Sequence, residues 1–132
     1  LQIAMEDLFY KYNVDIYFTG HIHSYERTWP TYQGNVLSTD PQTAYINPLS
    51  TIYLVLGGAG NDEMEDASIP DPTALFSYKD YSKGNYGPWS ASVDLHHFGI
   101  GKVNVLNSTT LRFDYIQTSI DHVYDSIVIR KQ

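Results

Sequence analysis

A helical pattern that runs directly into a short apolar strand is the feature that most restricts how this chain can fold. Apolar residues recur at helical spacing on one face of the first segment: Leu1, Ala4, Met5, Leu8, Phe9 and Tyr12. Asn13 is typical of a left-handed helix stop, and residues 14–18 then predict a mostly apolar strand that ends at Thr19 and Gly20. This order predicts the end of an α/β unit, in which functional groups lie beyond the carboxyl ends of strands.

The remaining strands are predicted from apolar runs and from alternation of apolar and polar residues. Residues 51–56 form the most apolar segment, which is typical of a strand buried on both faces. The last third alternates in three segments joined by polar turns, as antiparallel strands do: 101–106, 109–117 and 123–129. Residues 28–50 are rich in turn residues and predict a surface excursion, and residues 62–90 predict a long polar loop.

Composition limits the classes of partner. The net charge is −7, from 8 basic and 15 acidic residues without a basic cluster, which argues against nucleic acid and anionic membrane surfaces. A small phosphate substrate is compatible with this charge, because a metal ion can supply a positive field locally. There are no cysteines, which excludes disulfide bonds, and no apolar run approaches the roughly 20 residues that span a bilayer. The 12 tyrosines favour a β-rich fold, and we expect an extracellular protein.

The organisation of the chain indicates a piece of a larger unit. Its 132 residues are long enough to bury a core and show no second domain boundary, so residues 1–132 are interpreted as part of a single domain. The chain does not begin with Met, has no signal peptide and opens inside the helical pattern. We therefore expect a fragment or a processed chain.

His21 and His23 follow the first predicted strand and its glycine. Neutral imidazole is the commonest metal ligand in proteins, with nitrogen–metal distances of about 2.0–2.1 Å. In extended backbone, two positions separated by one residue point to the same side, so the rings could share one ion. They could equally hold one ion each of a pair about 3.5–4 Å apart, and the spacing leaves both arrangements open. A chance pair of surface histidines is the alternative, which the position after a buried strand disfavours.

Tyr25, Glu26 and Arg27 come directly after this pair and are candidates for a supporting role. Glu26 could accept a ring N–H from a ligating histidine, as carboxylates around metal sites do. A purely structural contact between Glu26 and Arg27, or between Arg27 and the backbone, is an equal alternative. We therefore take Tyr25 and Glu26 as candidate residues around the metal ligands.

Two further motifs are assigned structural roles. Gly57–Gly60 lacks the Lys-Ser/Thr sequence that a phosphate-binding loop needs, and it predicts a tight turn near the site. The acidic residues within 62–66 predict a solvated loop, with calcium binding as a minor alternative.

The other histidines and one asparagine complete the candidates. His96 and His97 are adjacent, would face opposite sides of a strand and are poor partners for one metal, so they and His122 are interpreted as structural. Asn107 begins an Asn-Ser-Thr acceptor sequence for N-glycosylation at a predicted turn, and we expect it to carry a glycan. No Ser or Cys lies in a nucleophile-elbow context, which argues against a triad hydrolase.

The segment 20–27 reads GHIHSYER and closely resembles the GHxHxYER block of the purple acid phosphatases. Residues 12–15 resemble the "KYNVD" lead-in of that family, and residues 57–61 resemble its GxGGN loop. Four further segments match the C-terminal signature of that family in the same order: Trp89-Ser90-Ala91, Phe98-Gly99, Asn107-Ser108-Thr109 and Asp125-Ser126. The resemblance covers nearly the whole chain, and its first block is specific.

This resemblance implies the C-terminal portion of a four-layer αββα metallophosphoesterase sandwich, β-rich in its last third. It implies hydrolysis of phosphomonoesters at acid pH by a dinuclear centre. His21 would bind the divalent ion (Zn, Mn or Fe) and His23 the ferric ion. A ferric ion suits acid conditions, because it holds an imidazole against competing protons and activates the attacking water at low pH.

Two departures from the family pattern restrict this interpretation. The other metal ligands and the catalytic residues of the family lie upstream of the segment that corresponds to this chain. Where the family has Ser-Phe-Gly-His, residues 97–100 read His-Phe-Gly-Ile, so no histidine follows the glycine. We therefore expect the isolated chain to be inactive and to complete its site with the remainder of the same protein, on an upstream segment or a separate chain.

Two other functions are compatible with the sequence. The chain could belong to a non-catalytic extracellular structural or adhesive protein that keeps the metallophosphoesterase fold, or it could be a stand-alone module that binds one ion through His21 and His23. For the enzyme we expect a small phosphate-ester substrate, possible homo-oligomers, and secretion or a vacuolar-lysosomal location.

Overall fold

A computed structural model describes residues 2–39, 44–60 and 87–132 of the chain. One helix and ten strands lie within these residues, in the order α1 (Gln2–Lys11), β1 (Ile16–Thr19), β2 (Tyr25–Thr28), β3 (Thr31–Tyr32), β4 (Asn35–Val36), β5 (Tyr45–Ile46), β6 (Ile52–Leu56), β7 (Ser90–Asp94), β8 (Gly99–Asn107), β9 (Thr110–Gln117) and β10 (His122–Arg130). Among the described residues, no helix is both long enough and apolar enough to cross a membrane.

The first sheet has the strand order β1-β6-β2-β7 and fixes where the chain's loops emerge. β1 runs parallel to β6, whereas β2 is antiparallel to both of its neighbours, β6 and β7. The carboxyl ends of β1, β6 and β7 and the amino end of β2 therefore lie at the same edge. We call this the loop edge; it comprises residues 20–24, 57–60 and 95–98.

The second sheet has the order β5-β10-β9-β8 and packs against the first. Buried side chains from both sheets form one core: Tyr25, Ile52 and Leu54 from the first, and Tyr45, Phe113, Tyr115, Ile127 and Ile129 from the second. Alternate residues of the first sheet point outward to α1, where the ring of Phe9 lies 5.0 Å from that of Tyr17. The described residues thus form a helix–sheet–sheet arrangement, which confirms the α/β, β-rich fold class.

Most strand predictions are confirmed with shifted ends. The three strands of the last third are present, and Asn13 has the left-handed φ of 51° that a helix stop requires. β1 starts two residues later than predicted, since Val14 and Asp15 lie in the link after the helix. β6 buries Ile52 and Leu54 completely, and its outward Tyr53 is covered by the ring of Phe9 at 6.5 Å.

The prediction for residues 28–50 was partly wrong. This segment contains three short strands, and its Pro30 and Thr31 are buried. β3 pairs with β4, and β5 joins the edge of the second sheet beside β10. Most of the long polar loop predicted at 62–90 lies outside the described residues, and its last residue, Ser90, begins β7.

Candidate metal centre

The histidine pair lies on a tight loop at the loop edge, between β1 and β2. His21 has a φ of 78°, a left-handed conformation that residues other than glycine seldom adopt. The N–H of Ser24 donates to the carbonyl of Ile22 at 2.8 Å, which closes a turn over His23. The extended backbone assumed from the His-x-His spacing was therefore wrong, and the direction of the two rings follows from these local turns.

Gly57 presses against this loop from the end of β6. Its N–H donates to the carbonyl of Ser24 at 3.1 Å. A Cβ at Gly57 would lie 1.7 Å from the carbonyl oxygen of Ile22, so a glycine is required for the two backbones to approach this closely. The predicted tight turn near the site is confirmed, and its physical role is to support the histidine loop.

The two imidazoles are accessible to a ligand. His21 is exposed and His23 is partly buried. Within the described part of the chain neither ring has a hydrogen-bond partner, and no group of three His, Cys, Asp or Glu side chains is close enough to hold a metal. Two imidazoles with available nitrogens fit zinc or iron as partial ligand sets. A complete centre needs ligands from elsewhere.

β2 leads from the histidine loop into the interior, where its inner face carries a buried charge pair. Arg27 donates from Nε to Asp125 Oδ2 at 2.7 Å and from Nη2 to Asp125 Oδ1 at 3.1 Å. Tyr25 donates its hydroxyl to Asp125 Oδ2 at 2.5 Å. Both side chains of the ion pair are largely buried, at 7% and 11% exposure. We call Tyr25, Arg27 and Asp125 the intersheet clamp, since it joins β2 to β10.

The electrostatics of the clamp follow from burial and from the ion pair. Burial by itself disfavours the charged carboxylate of Asp125, but the hydrogen bonds and charge of Arg27 outweigh it and hold the pKa of Asp125 below its ordinary value. Burial, followed by the charge of Asp125, raises the pKa of Tyr25, so its hydroxyl remains a donor. The Tyr25 ring stacks on Tyr115 at 3.9 Å. Sequence reasoning matched Asp125 to a motif but did not foresee that it pairs with Arg27.

Glu26 points to the opposite face of β2 and has a different partner from either one suggested by the sequence. Its carboxylate accepts a hydrogen bond from the Ser90 hydroxyl on β7. Because neighbouring strand residues face opposite sides, Glu26 cannot share the inner face of Arg27. Burial raises the pKa of Glu26, partly offset by the Ser90 hydrogen bond. The Tyr25 side chain contacts Asp125 and the Tyr115 ring, so it is joined to the histidine loop through the backbone of β2.

The remaining candidates lie in three places. His97 Nδ1 contacts Asp94 Oδ1 at 3.0 Å at the loop edge, next to the exposed His96. His122 is exposed and opens β10 rather than lying in a turn. Asn107 is exposed at the β8–β9 turn, where its Oδ1 accepts the N–H of Thr109 at 2.9 Å. Its glycosylation stays a prediction.

A cavity of about 250 Å³ lies under α1, away from the histidines. Its walls include Phe9, Tyr53 and Trp89, together with Thr28 at the carboxyl end of β2. The histidine loop adjoins the amino end of the same strand. The cavity is therefore separate from the candidate metal site.

Comparisons with known proteins show which family the sequence resembles. The family model described as iron/zinc purple acid phosphatase-like protein C matches residues 50–126. Acid phosphatase type 7 of Homo sapiens is 33% identical over 118 residues, which cover 89% of this chain and 24% of that protein. Probable inactive purple acid phosphatase 24 of Arabidopsis thaliana is 30% identical, over 97% of this chain and 18% of that protein.

A solved structure shows the same fold. The purple acid phosphatase PPD1 from yellow lupin (Lupinus luteus) seeds superposes with a TM-score of 0.76 at 32% sequence identity. The match covers 97% of this chain and 19% of the lupin protein. The chain thus spans about a quarter or less of the length of these relatives.

Proposed function

The chain belongs to the purple acid phosphatase family, and on that premise we propose that it supplies His21 and His23 to a dinuclear metal centre. In the complete protein this centre hydrolyses phosphate monoesters at acid pH. His21 binds the divalent ion, which is zinc, manganese or iron, and His23 binds the ferric ion. The remaining ligands come from the rest of the same protein.

The observation that supports this proposal most directly is the construction of the histidine loop. The left-handed φ of His21 costs free energy, and Gly57 lies against the Ile22 carbonyl where no Cβ would fit. Such strain concentrates at functional sites, where the surrounding structure enforces it. Here it presents two imidazoles at an accessible sheet edge.

The residues of this chain hold and orient the centre. Each imidazole binds through an unprotonated nitrogen, so metal and protons compete for both rings in acid. When bound, the two ions supply Lewis acidity and activate water for attack on phosphorus. The intersheet clamp fixes the strand that follows the histidine loop, and Gly57 holds the loop backbone at Ile22 and Ser24, so that the rings are placed before a metal arrives.

The test uses the intact protein with metal analysis and phosphatase assays. We expect two metal ions per molecule, and we expect His23→Ala to lose iron and activity together. The matched control is His122→Ala, since His122 is an exposed histidine at the start of β10. Stoichiometric iron in the His23 variant would refute the assignment. Loss of activity in the control as well would also contradict a specific role.

A second function is favoured by one of the relatives. The Arabidopsis protein named as a probable inactive phosphatase matches nearly as well as the acid phosphatases do. This chain could therefore belong to a non-catalytic protein that keeps the fold. Intact protein with two metals but no hydrolysis of any phosphate ester would support that function. The isolated 132-residue chain should be inactive in either case, because two histidines cannot hold two ions.

A further inference from the structure

A carboxylate–imidazole pair lies at the loop edge and has no part in the function proposed above. His97 Nδ1 lies 3.0 Å from Asp94 Oδ1 and 3.2 Å from Oδ2. The Asp94 side chain is 3% exposed, whereas that of His97 is 48% exposed. Asp94 thus holds one ring nitrogen, Nδ1, while about half of the His97 side chain remains exposed. A carboxylate hydrogen bond at one ring nitrogen fixes the tautomer and the orientation of histidines that bind ligands through the other nitrogen.

The imidazole is not needed to satisfy Asp94. The carboxylate already accepts the backbone N–H groups of His96 and His97, at 3.0 and 3.2 Å, and the side-chain amide of Gln117 at 2.6 Å. Burial disfavours its charge, but these donors and His97 together hold the pKa of Asp94 below its ordinary value. A residue without a ring at position 97 would still complete the turn.

The backbone of this segment is fixed by the second sheet. Tyr115 donates its hydroxyl to the carbonyl of His97 at 3.2 Å, and burial raises the pKa of Tyr115 to about 12, so the donor stays protonated. The N–H of Thr118 donates to the carbonyl of Phe98 at 3.0 Å. Gly99 lies against the Tyr115 ring with no room for a Cβ. The backbone that carries the exposed His97 ring is therefore held in place by the second sheet.

Strand register places this segment beside the histidine loop. Tyr25 at the start of β2 lies opposite Asp94 at the end of β7. His23 precedes Tyr25 by two residues, and His97 follows Asp94 by three. Because β2 and β7 are antiparallel, the two segments leave the sheet at the same edge, from strands about 4.8 Å apart.

We propose that His97 contacts the substrate, and that its Nε2 forms a hydrogen bond with a phosphate oxygen of the ester bound at the histidine loop. This rests on the proposed function. With Nδ1 occupied by Asp94, Nε2 either donates to the phosphate as imidazolium or accepts the P–O–H of a monoanionic ester. One proton is shared in both cases, and no bond other than the hydrogen bond forms. His97 would hold the phosphate from the side of β7.

His96 provides a matched control. It is the adjacent histidine, it is exposed, and its ring has no hydrogen-bond partner within the described residues. His97→Asn and His96→Asn make the same chemical change at both positions. Asparagine at 97 can still donate to Asp94 from its side-chain amide, but it cannot reach to the position of Nε2. The backbone conformation of this segment should therefore be unchanged in both variants.

The experiment measures binding of inorganic phosphate to the intact, metal-loaded protein by calorimetry, together with KM for a phosphate ester where turnover is present. We expect His97→Asn to weaken phosphate binding, and to raise KM, by roughly tenfold or more, as loss of a charge-assisted hydrogen bond does. We expect His96→Asn to change neither by more than about twofold. Metal content and thermal unfolding should match the wild type in both.

The outcomes separate this inference from the proposed function. Equal phosphate affinity in the two variants overturns the role of His97, whatever His23→Ala shows. Loss of metal in His97→Asn overturns it as well, since the effect would then act through the centre. No phosphate binding by the metal-loaded wild type also rejects it. If His23→Ala keeps iron and activity while His97→Asn weakens phosphate binding, the metal assignment fails and the anion contact stands.

Discussion

The histidine loop and the intersheet clamp meet on β2, and they differ in whether their polar side chains have partners. At the loop edge the backbone is strained and the imidazoles of His21 and His23 have no protein partner within the described residues. Between the sheets, a few residues further along, Asp125 has both oxygens engaged by Arg27 and Tyr25 and lies in the stacked aromatic core. One short segment thus joins a loop whose two imidazoles have no partner within the described residues to a buried carboxylate that has both oxygens engaged.

This difference shows how an open ligand set can be held in place. A loop with unsatisfied rings and a left-handed residue would relax if its flanks could move. The clamp fixes the strand that follows the loop, and Gly57 holds the loop itself at Ile22 and Ser24. Stability and ligand binding are therefore assigned to different residues, and substitutions should separate the two.

The largest effect on stability is expected from removing the cation of the clamp. Arg27→Gln leaves the Asp125 carboxylate buried with Tyr25 as its remaining side-chain donor, and breaking such a pair costs about 3–5 kcal/mol of unfolding free energy. Urea denaturation measures it. The control is Arg112→Gln, because Arg112 is 45% exposed in its pair with Asp114 and should cost about 1 kcal/mol or less. Equal losses of unfolding free energy in the two variants would show that the buried pair stabilises the fold no more than the exposed pair does.

A smaller loss of stability, confined to the loop edge, is expected when a side chain is added at Gly57. Gly57→Ala places a Cβ against the Ile22 carbonyl and must displace the histidine loop, at about 1–3 kcal/mol for overpacking. Metal affinity of the intact protein should fall more than thermal stability does. Gly20→Ala is the control, since a Cβ there meets nothing within 4 Å. Unchanged metal affinity in Gly57→Ala would disprove the supporting role of this glycine.

The clamp should also set how stability responds to acid. The pKa of Asp125 is lower in the folded state than the ordinary value of about 3.9, so the unfolded chain takes up its proton first. Its contribution is therefore complete above about pH 4 and is lost as pH falls through the folded pKa. Denaturation of the wild type and Asp125→Asn between pH 2 and 6 should show a gap that narrows below about pH 4. A constant gap would contradict this account.

The smallest effect is expected at Glu26, on the outer face of the same strand. Burial raises its pKa, so its ionisation favours the unfolded state once pH exceeds the ordinary value near 4.3. Glu26→Gln keeps an acceptor for Ser90 and removes the charge. We expect equal or greater stability at pH 7 and no gain at pH 3. A clear loss at pH 7 would show that the carboxylate itself is required.

The sequence predicted what depends on short-range pattern. Alternation gave the three last strands, and the strand-plus-glycine context gave the position of His21 and His23. It failed where partners are distant along the chain. Arg27 and Asp125 lie 98 residues apart, and periodicity carries no information about such a pair.

The same limit explains why the partner of Glu26 was not foreseen. The sequence offered a ligating histidine or Arg27, whereas the Glu26 carboxylate accepts a hydrogen bond from Ser90 on β7. That contact depends on which strand lies next to β2. His96 and His97 were expected on a strand, whereas β7 ends before them at Asp94.

The parallel pairing of β1 with β6 has a consequence for when the histidine loop reaches its final form. Ile16 pairs with Ile52, so a long stretch of chain must be synthesised and closed before the strands meet, and pairings of this kind form slowly. Gly57 reaches the histidine loop only after that step. On the nascent chain the two imidazoles are therefore a flexible pair, and a metal that binds them as proposed should be captured late, after these strands have paired.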